Sequence, residues 1–151
     1  MTIQELIDQE SVLFLGDFAG KDKLLDALAD AAATRFDLDK GAIFDVLWER
    51  EGLGSTALGG GVAVPHGRVP GVAAPMALLA RLATPVEFGA QDGQPVDIVF
   101  VLLAAVGAGA DHLEALKQIA AVAKDGAQVA RIRACKTGKE AYNCLGRAGA
   151  V

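Results

Sequence analysis

Two histidines are the residues whose surroundings in this sequence best suit covalent chemistry. His66 follows an apolar run, Val62–Val64, that predicts a buried strand, and Pro65 is expected to end that strand because it cannot donate a backbone hydrogen bond. Gly67 has no side chain, so we expect it to leave room for a group that approaches His66. The pattern predicts an exposed, rigidly held imidazole; the alternative is a surface loop histidine without a function.

The second histidine, His112, is predicted to open a helix that Asp111 caps. Steps of four and three residues lead from His112 to Leu116 and Ile119, so its side chain is expected to face the sheet. A helix N-terminus disfavours an imidazolium and attracts an anion. A neutral His112 can then donate an N–H to a bound phosphate; the alternative is a histidine at the edge of the core that donates to a backbone carbonyl.

Two arginines are further candidates for binding an anion. Arg50 lies on the apolar stripe that contains Val46 and Leu47, at the C-terminal end of its predicted helix, where an arginine either complements the helix dipole or binds an anion. Arg68 lies two residues after His66. It is expected either to join the same anion site or to stay solvated.

Other familiar chemistries lack the residues that they need. No H-x-x-x-H or H-x-H pattern is present and only Asp111 could join the two histidines, so no metal site is predicted. The glycine-rich loop 54–61 lacks the ending of a P-loop, although its backbone N–H groups can still bind phosphate. The run Gly107–His112 has histidine where a dinucleotide motif needs glycine, and no G-x-S-x-G is present. The remaining chemistry is a histidine nucleophile that attacks a phosphoryl group already activated on a donor.

The elements that hold these residues are predicted from hydrophobic periodicity and capping residues. Apolar runs and turn residues predict strands at Val12–Leu15, Val62–Val64, Met76–Leu82 and Val96–Ala105, with a turn over Thr84–Pro95. Helices are predicted over 3–9, from near Lys21 through Phe36, from an N-cap at Asp39 to Gly52 or Gly54, and over Asp111–Lys124, Ala127–Ala134 and Thr137–Leu145. Helices before, between and after strands predict an α/β sandwich, in which a single mixed β-sheet has helices packed on both faces.

Composition sets limits on size, partners and location. With 151 residues, 52% of them hydrophobic, the chain is expected to form one domain over residues 1–151. A net charge of −5 argues against nucleic acid or an anionic membrane as a partner. The longest apolar stretch, Ile98–Ala110, is too short to insert across a membrane, and the N-terminus lacks a signal peptide, so a cytoplasmic protein is predicted. Cys135 and Cys144 match no redox or zinc spacing and are predicted to be reduced and structural.

Two stretches of the chain resemble a known family. The run Trp48–Thr56 contains the pattern R-E-x-x-G-S-T, and Gly59–Arg68 contains P-H-G. Both resemble the signature of the fructose/mannitol-type EIIA domain of the bacterial phosphotransferase system, EIIA type 2, and the nitrogen-regulatory branch of that family is the most similar. The predicted strand Asp97–Leu103 and the helix start Asp111–Leu113 resemble the family too, so the similarity spans nearly the whole chain.

The resemblance implies a phosphoryl carrier with named site residues. It implies that a neutral His66 accepts a phosphoryl group through Nε2 from a phosphohistidine on an HPr-like phosphocarrier protein, with no metal or nucleotide. It implies that His112 hydrogen-bonds the active-site imidazole or its phosphate, and that Arg50 balances the charge of the phosphate. Two further residues are candidates for binding the phosphate. They are Thr56, which lies in the loop expected to line the phosphate pocket, and Arg68.

Three functional hypotheses stay open. The first is a regulator whose phosphorylation state controls a downstream target; it is favoured because nothing that resembles a IIB or IIC transporter domain is fused to this sequence. The second is a sugar-specific IIA component that passes phosphate to a separate IIB protein. The third is a binding-only protein whose histidines are structural. Gly60 departs from the family, whose members usually have a larger residue there, often Asn, so a more mobile loop is expected without loss of the acceptor.

Overall fold

Six strands and six α-helices form the part of the chain that the computed structural model describes, residues 2–146. The strands are β1 (Val12–Leu15), β2 (Ala57–Gly59), β3 (Val62–Ala63), β4 (His66–Arg68), β5 (Met76–Val86) and β6 (Val96–Ala104). The helices are α1 (Ile3–Leu6), α2 (Lys21–Phe36), α3 (Lys40–Gly52), α4 (Ala110–Ala123), α5 (Gly126–Ala134) and α6 (Gly138–Leu145), with a 3₁₀ turn at Gln9–Ser11. Met1 and residues 147–151 of the predicted domain lie outside the described residues.

The strands form one mixed sheet around β5 and β6, which pair antiparallel. On one side β1 runs parallel to β5. On the other side β3 and β4 both run parallel to β6, and β2 pairs antiparallel with β3 at the edge. Every residue of β6 except Asp97 is buried, which is typical of a strand with helices over both faces.

Side chains of the central strands alternate between two cores, one on each face of the sheet. Phe100 and Leu102 pack in one core with residues of α1, α4, α5 and α6. Val99 and Val101 pack in the other core with residues of α2 and α3. Neighbouring residues of β6 thus contact opposite helical layers, as the two-residue period of a strand requires. The predicted α/β sandwich is confirmed.

Capping side chains begin three helices close to where the sequence predicts them. Asp39 Oδ2 accepts a hydrogen bond from Ala42 N at 2.8 Å, and α3 starts at the next residue. Asp125 and Thr137 cap α5 and α6 in the same way. These side chains satisfy N–H groups that have no partner inside the helix, which explains why the boundaries can be predicted locally.

Other boundaries differ from the prediction for local reasons. α1 ends at Leu6 instead of residue 9, because Asp8 caps the separate 3₁₀ turn. β5 continues to Val86, inside the predicted turn, and its register with β6 shifts before that residue, which accommodates Pro85 in the strand. β2 was not predicted. It pairs with β3 because all three glycines of Gly59–Gly61 adopt positive φ and form a tight turn.

The state of the cysteines agrees with the prediction. Cys135 and Cys144 are free thiols whose sulfur atoms lie 3.6 Å apart. Burial, together with the neighbouring Cys144 thiol, raises the pKa of Cys135 to about 11, so this thiol stays protonated at neutral pH. Within residues 2–146, none of the helices is long and apolar enough to span a membrane.

Candidate functional site

His66 opens β4, which continues the line of β3 along β6. β3 pairs with β6 up to Ala63, and the parallel pairing resumes at His66, opposite Leu102. Pro65 lies between the two strands and cannot donate, but its carbonyl accepts a hydrogen bond from Leu102 N at 3.0 Å. The prediction of an exposed imidazole just past the end of a strand is therefore wrong: His66 is half-buried and lies in a strand, because the pairing with β6 resumes after the proline.

Gly67 is needed for the packing of a helix. A Cβ at this position would lie 1.9 Å from Cγ1 of Val46 in α3, far inside van der Waals contact. Gly67 and His66 also line one cavity, so the expectation that Gly67 leaves room for a group approaching His66 stays a prediction beside this packing role. Because Arg50 lies one turn after Val46, the same close approach brings its side chain to the strand that carries His66.

Gly67→Ala is expected to lower the free energy of unfolding by about 2 kcal/mol, because overpacking a filled site costs roughly 1 to 3 kcal/mol. Urea denaturation measures this difference. Gly52→Ala is the matched control, since an added Cβ at the end of α3 meets no atom within 4 Å. Val46→Ala added to Gly67→Ala should recover part of the loss. Equal stability of Gly67→Ala and Gly52→Ala would contradict the clash.

One hydrogen bond determines which ring nitrogen of His66 is free. Nδ1 lies 2.7 Å from the carbonyl oxygen of Val64. Because a carbonyl can only accept, Nδ1 must carry a hydrogen, and Nε2 of the neutral imidazole then keeps its lone pair. His66 also lines a cavity of about 380 Å³. The nitrogen that is free in the neutral ring thus belongs to a residue that lines a cavity able to admit a ligand.

His112 lines the same cavity from the first turn of α4, and it is only 8% exposed. The ring centroids of His112 and His66 lie 5.9 Å apart, and Nδ1 of His112 has no hydrogen-bond partner among residues 2–146. Burial lowers the pKa of His112, and the neighbouring His66 and Arg68 lower it further. The structure therefore confirms that His112 faces inward, and it places a mostly neutral imidazole with an unpaired nitrogen beside His66.

The start of α4 differs from the prediction. The helix begins at Ala110 with Gly109 as its N-cap, and Asp111 lies in the first turn instead of capping it. Oδ1 of Asp111 accepts a hydrogen bond from the backbone N of His112 at 3.0 Å. A carboxylate in the first turn is stabilised by the helix dipole, so Asp111 needs no cap position. One N–H expected to attract an anion is therefore already bonded.

The midpoint of the His112 titration is expected to lie below the ordinary value of 6.5, because burial and nearby positive charge disfavour the imidazolium. Arg68→Gln should raise this midpoint, while Arg131→Gln on the exposed face of α5 should leave it unchanged. An NMR titration of the ring protons measures both. Identical midpoints in the two variants would show that the charge of Arg68 does not act on His112.

The lowered pKa of His112 also makes the free energy of unfolding depend on pH, in a direction that can be predicted. In the range between the lowered pKa of His112 and 6.5, the unfolded chain binds more protons at this residue than the folded protein does. The contribution of His112 to the free energy of unfolding should therefore fall as the pH drops through this range. His112→Leu should remove that part of the pH dependence, which urea denaturation at several pH values can follow.

Arg50 and Arg68 add positive charge to the cavity that the two histidines line. Nη1 of Arg50 donates to the carbonyl of Gly54 at 3.0 Å, and Nη2 of Arg68 donates to the carbonyl of Ala108 at 3.1 Å. Neither guanidinium pairs with a carboxylate within residues 2–146, so both keep donors for an anion. Four of the five predicted site residues therefore meet at one cavity.

Thr56 lies beside this cavity, but its hydroxyl is already engaged. It lines a second cavity of about 190 Å³ together with Arg50 and His66. Its backbone N donates to Glu51 Oε1 at 3.1 Å, and its hydroxyl donates to Glu51 Oε2. A phosphate contact from Thr56 stays a prediction. Glu51 was missed in the sequence, although it follows the buried Leu47 by four residues and thus lies on the buried side of α3.

The arrangement suits an anion bound at a histidine. In the described part of the chain, no group of three His, Cys, Asp or Glu side chains could hold a metal ion. Two guanidinium groups and a buried imidazole line the same cavity as His66, and all of them can donate to phosphate oxygens. The site can therefore combine nucleophilic attack at Nε2 with stabilisation of negative charge.

Comparison with known proteins identifies the family. Residues 5–147 match the family described as "Phosphoenolpyruvate-dependent sugar phosphotransferase system, EIIA 2". The chain is 43% identical over 145 residues to a nitrogen regulatory protein of Bradyrhizobium diazoefficiens, which covers 96% of this chain and 95% of that protein. It is 38% identical over 96 residues to a fructose-specific EIIA component of Haloferax volcanii, which covers 64% of this chain and 60% of that protein.

The fold comparison agrees with the sequence comparison. The crystal structure of the nitrogen regulatory protein IIA-Ntr from Neisseria meningitidis matches this structure with a TM-score of 0.87 at 31% identity, over 95% of this chain and 98% of that chain. The resemblance seen in the motifs around Arg50 and His66 is confirmed. The chain belongs to the EIIA type 2 family of the phosphoenolpyruvate-dependent phosphotransferase system.

Proposed function

We propose that this chain is a regulatory phosphoryl carrier of the cytoplasm and that Nε2 of His66 accepts the phosphoryl group. The observation that carries this proposal is the 2.7 Å hydrogen bond from His66 Nδ1 to the Val64 carbonyl, because it leaves Nε2 with its lone pair. The donor is a phosphohistidine on an HPr-like phosphocarrier protein. Residues 1–151 act as one domain in this role.

The proposed transfer balances without a proton leaving His66. The lone pair of Nε2 attacks phosphorus, the N–P bond to the donor histidine breaks, and the bonding electrons return to the donor ring. Nδ1 of His66 keeps its hydrogen and its bond to the Val64 carbonyl. That hydrogen bond stabilises the positive charge which the ring gains when Nε2 is phosphorylated.

The surroundings of His66 support an incoming phosphoryl group by charge and by hydrogen bonding. Such a group brings a charge of about −1.5 to −2, and a hydrogen bond to a charged group contributes roughly 1.5 to 3 kcal/mol. Arg50 and Arg68 line the cavity and have donors to spare. Burial favours the neutral form of His112, which lines the same cavity and can donate an N–H to a phosphoryl oxygen.

Reconstitution with phosphoenolpyruvate, enzyme I and an HPr-type protein tests the proposal. Intact mass spectrometry should show the addition of one phosphoryl group, and the product should be labile in acid and stable in alkali. Omission of the HPr-type protein should abolish the modification. A chain that stays unmodified with an active donor, or that carries an acid-stable phosphate, would refute the proposal.

The second candidate function is a sugar-specific IIA component that passes phosphate to a separate IIB protein. The similarity to a fructose-specific EIIA component supports it, but that similarity covers 64% of this chain. The similarity to a nitrogen regulatory protein covers 96% at higher identity, which favours the regulatory role. Both functions share the donor step, so only the fate of the phosphate separates them.

The fate of the phosphate can be followed in a membrane extract with and without added fructose or mannitol. A regulator should keep its phosphate whether or not sugar is present. Unphosphorylated protein and His66→Ala should both retain a regulatory target that phosphorylated protein releases, because a dianion at the site adds like-charge repulsion and a desolvation cost. Rapid loss of phosphate in proportion to added sugar would establish the sugar-carrier function instead.

A further inference from the structure

A buried carboxylate lies beneath the site and takes no part in the transfer step described above. Glu51 is in the last turn of α3, its side chain is 3% exposed, and its Oε1 lies 2.7 Å from Nζ of Lys21. Thr56 donates to it twice, through its backbone N and through its hydroxyl. Burial of a carboxylate is costly unless it is paired, so these contacts hold the cluster in one geometry.

Two further hydrogen bonds connect this cluster to the phosphoryl acceptor. The carbonyl of Thr56 accepts from Val64 N at 3.0 Å. The carbonyl of Val64 in turn accepts from His66 Nδ1 at 2.7 Å. An unbroken chain of contacts thus leads from the carboxylate of Glu51 to the hydrogen bond that leaves Nε2 free. Each link passes through the backbone of one residue, Thr56 or Val64, so the chain transmits position from one contact to the next.

The loop that contains Thr56 is also held from the side of Phe88. Nζ of Lys21 donates to the Phe88 carbonyl at 3.2 Å, and the hydroxyl of Ser55 donates to the same carbonyl at 2.8 Å. Lys21 thereby connects the buried carboxylate of Glu51 to the Phe88 carbonyl, which also holds the loop through Ser55. Displacement of Thr56 would break the contacts with Glu51 and strain the contacts with Phe88 together, so the loop has one preferred position.

We propose that Glu51, with Lys21 as its counter-ion, is a positioning residue for phosphoryl acceptance. Glu51 fixes the position of Thr56, and Thr56 in turn fixes the Val64 carbonyl. That carbonyl holds His66 in the tautomer that has hydrogen on Nδ1 and a free Nε2. Glu51 does not touch the phosphoryl group. The inference rests on the proposed function, and it adds that the acidic residue next to Arg50 sets the state of the acceptor ring.

Glu51→Gln tests this role, because it keeps the size of the side chain and removes its charge. The ¹⁵N NMR signals of the His66 ring at pH 8 should report a single Nδ1–H tautomer in the wild type and a mixture of tautomers in the variant. The saturating rate of phosphoryl transfer should fall roughly tenfold through misorientation of the ring, while the donor concentration at half-saturation stays unchanged. Asp45→Asn, an exposed acid on the same helix, is the matched control.

A second variant covers the possibility that unpaired Lys21 destabilises the fold. The double variant Lys21→Met with Glu51→Gln replaces the ion pair by two neutral side chains of similar size, and it should show the same mixture of tautomers and the same slow transfer. A folded Glu51→Gln or double variant with a wild-type His66 tautomer and a wild-type rate would overturn the inference. If the wild type accepts no phosphoryl group, the proposed function fails, and the NMR signals alone still decide whether Glu51 sets the tautomer.

Discussion

His66→Gln is expected to accept no phosphoryl group from a phosphorylated HPr-type donor. His66 has an Nδ1–H that is bonded to the Val64 carbonyl, a free Nε2, and a half-buried position on the wall of a cavity that also contains Arg50 and Arg68. His112 is the only other histidine, and it is 8% exposed, so a donor protein cannot reach it as readily. Intact mass after reconstitution measures the loss.

His112→Gln is the control for this experiment, because it changes the same residue type in the same cavity. It should still be phosphorylated, although more slowly, since its ring only supports the phosphoryl group in the proposed mechanism. The amide of glutamine at position 66 can donate to the Val64 carbonyl, so the melting temperature of His66→Gln should stay close to that of the wild type. Phosphate mapped to His112, or normal labelling of His66→Gln, would disprove the assignment.

The helices and the long strands could be predicted because their signals are local. Asp39, Asp125 and Thr137 each precede a helix and bond to its free N–H groups, so the sequence marks these starts directly. The apolar run Val96–Ala105 is typical of a strand covered on both faces, and the bounds of β6 agree with it to within one residue. Such features depend on neighbours in the chain and not on the rest of the fold.

The surroundings of His66 depend on partners that are distant in sequence, and there the prediction failed in part. Pro65 does interrupt the strand, but β4 forms because β6 offers free backbone groups at Leu102–Ala104. The need for glycine at position 67 also comes from a distant partner, because Val46 of α3 packs against it. Neither partner can be found from periodicity, since both contacts arise only when the sheet and α3 are assembled.

The meeting of the two histidines also follows from topology. β4 and β6 run parallel and end at the same edge of the sheet, and a short connection leads from the end of β6 at Ala104 to α4. His66 in β4 and His112 in the first turn of α4 are thereby brought to one cavity. The sequence indicated that each lies at the edge of an element, but the parallel pairing that joins the two edges could not be predicted from it.

Arg50→Ala is expected to slow phosphoryl transfer roughly 10- to 150-fold. A hydrogen bond from a guanidinium to a phosphoryl oxygen contributes roughly 1.5 to 3 kcal/mol, and each 1.36 kcal/mol is about tenfold in rate. Arg50 lines two cavities together with His66, so its guanidinium is placed to meet a phosphoryl group bound in either of them. Single-turnover transfer from a phosphorylated donor measures the effect.

Arg50→Lys separates charge from geometry at the same position. The guanidinium can keep its 3.0 Å bond to the Gly54 carbonyl through Nη1 and still offer other N–H groups to an anion, whereas a lysine ammonium is a single point of charge. We therefore expect Arg50→Lys to recover only part of the rate that Arg50→Ala loses. Arg50 is half-buried and makes one hydrogen bond, so neither variant should lose more than about 1 kcal/mol of unfolding free energy. Wild-type rates, or a rate loss that matches the unfolded fraction, would show that Arg50 does not act on the phosphoryl group.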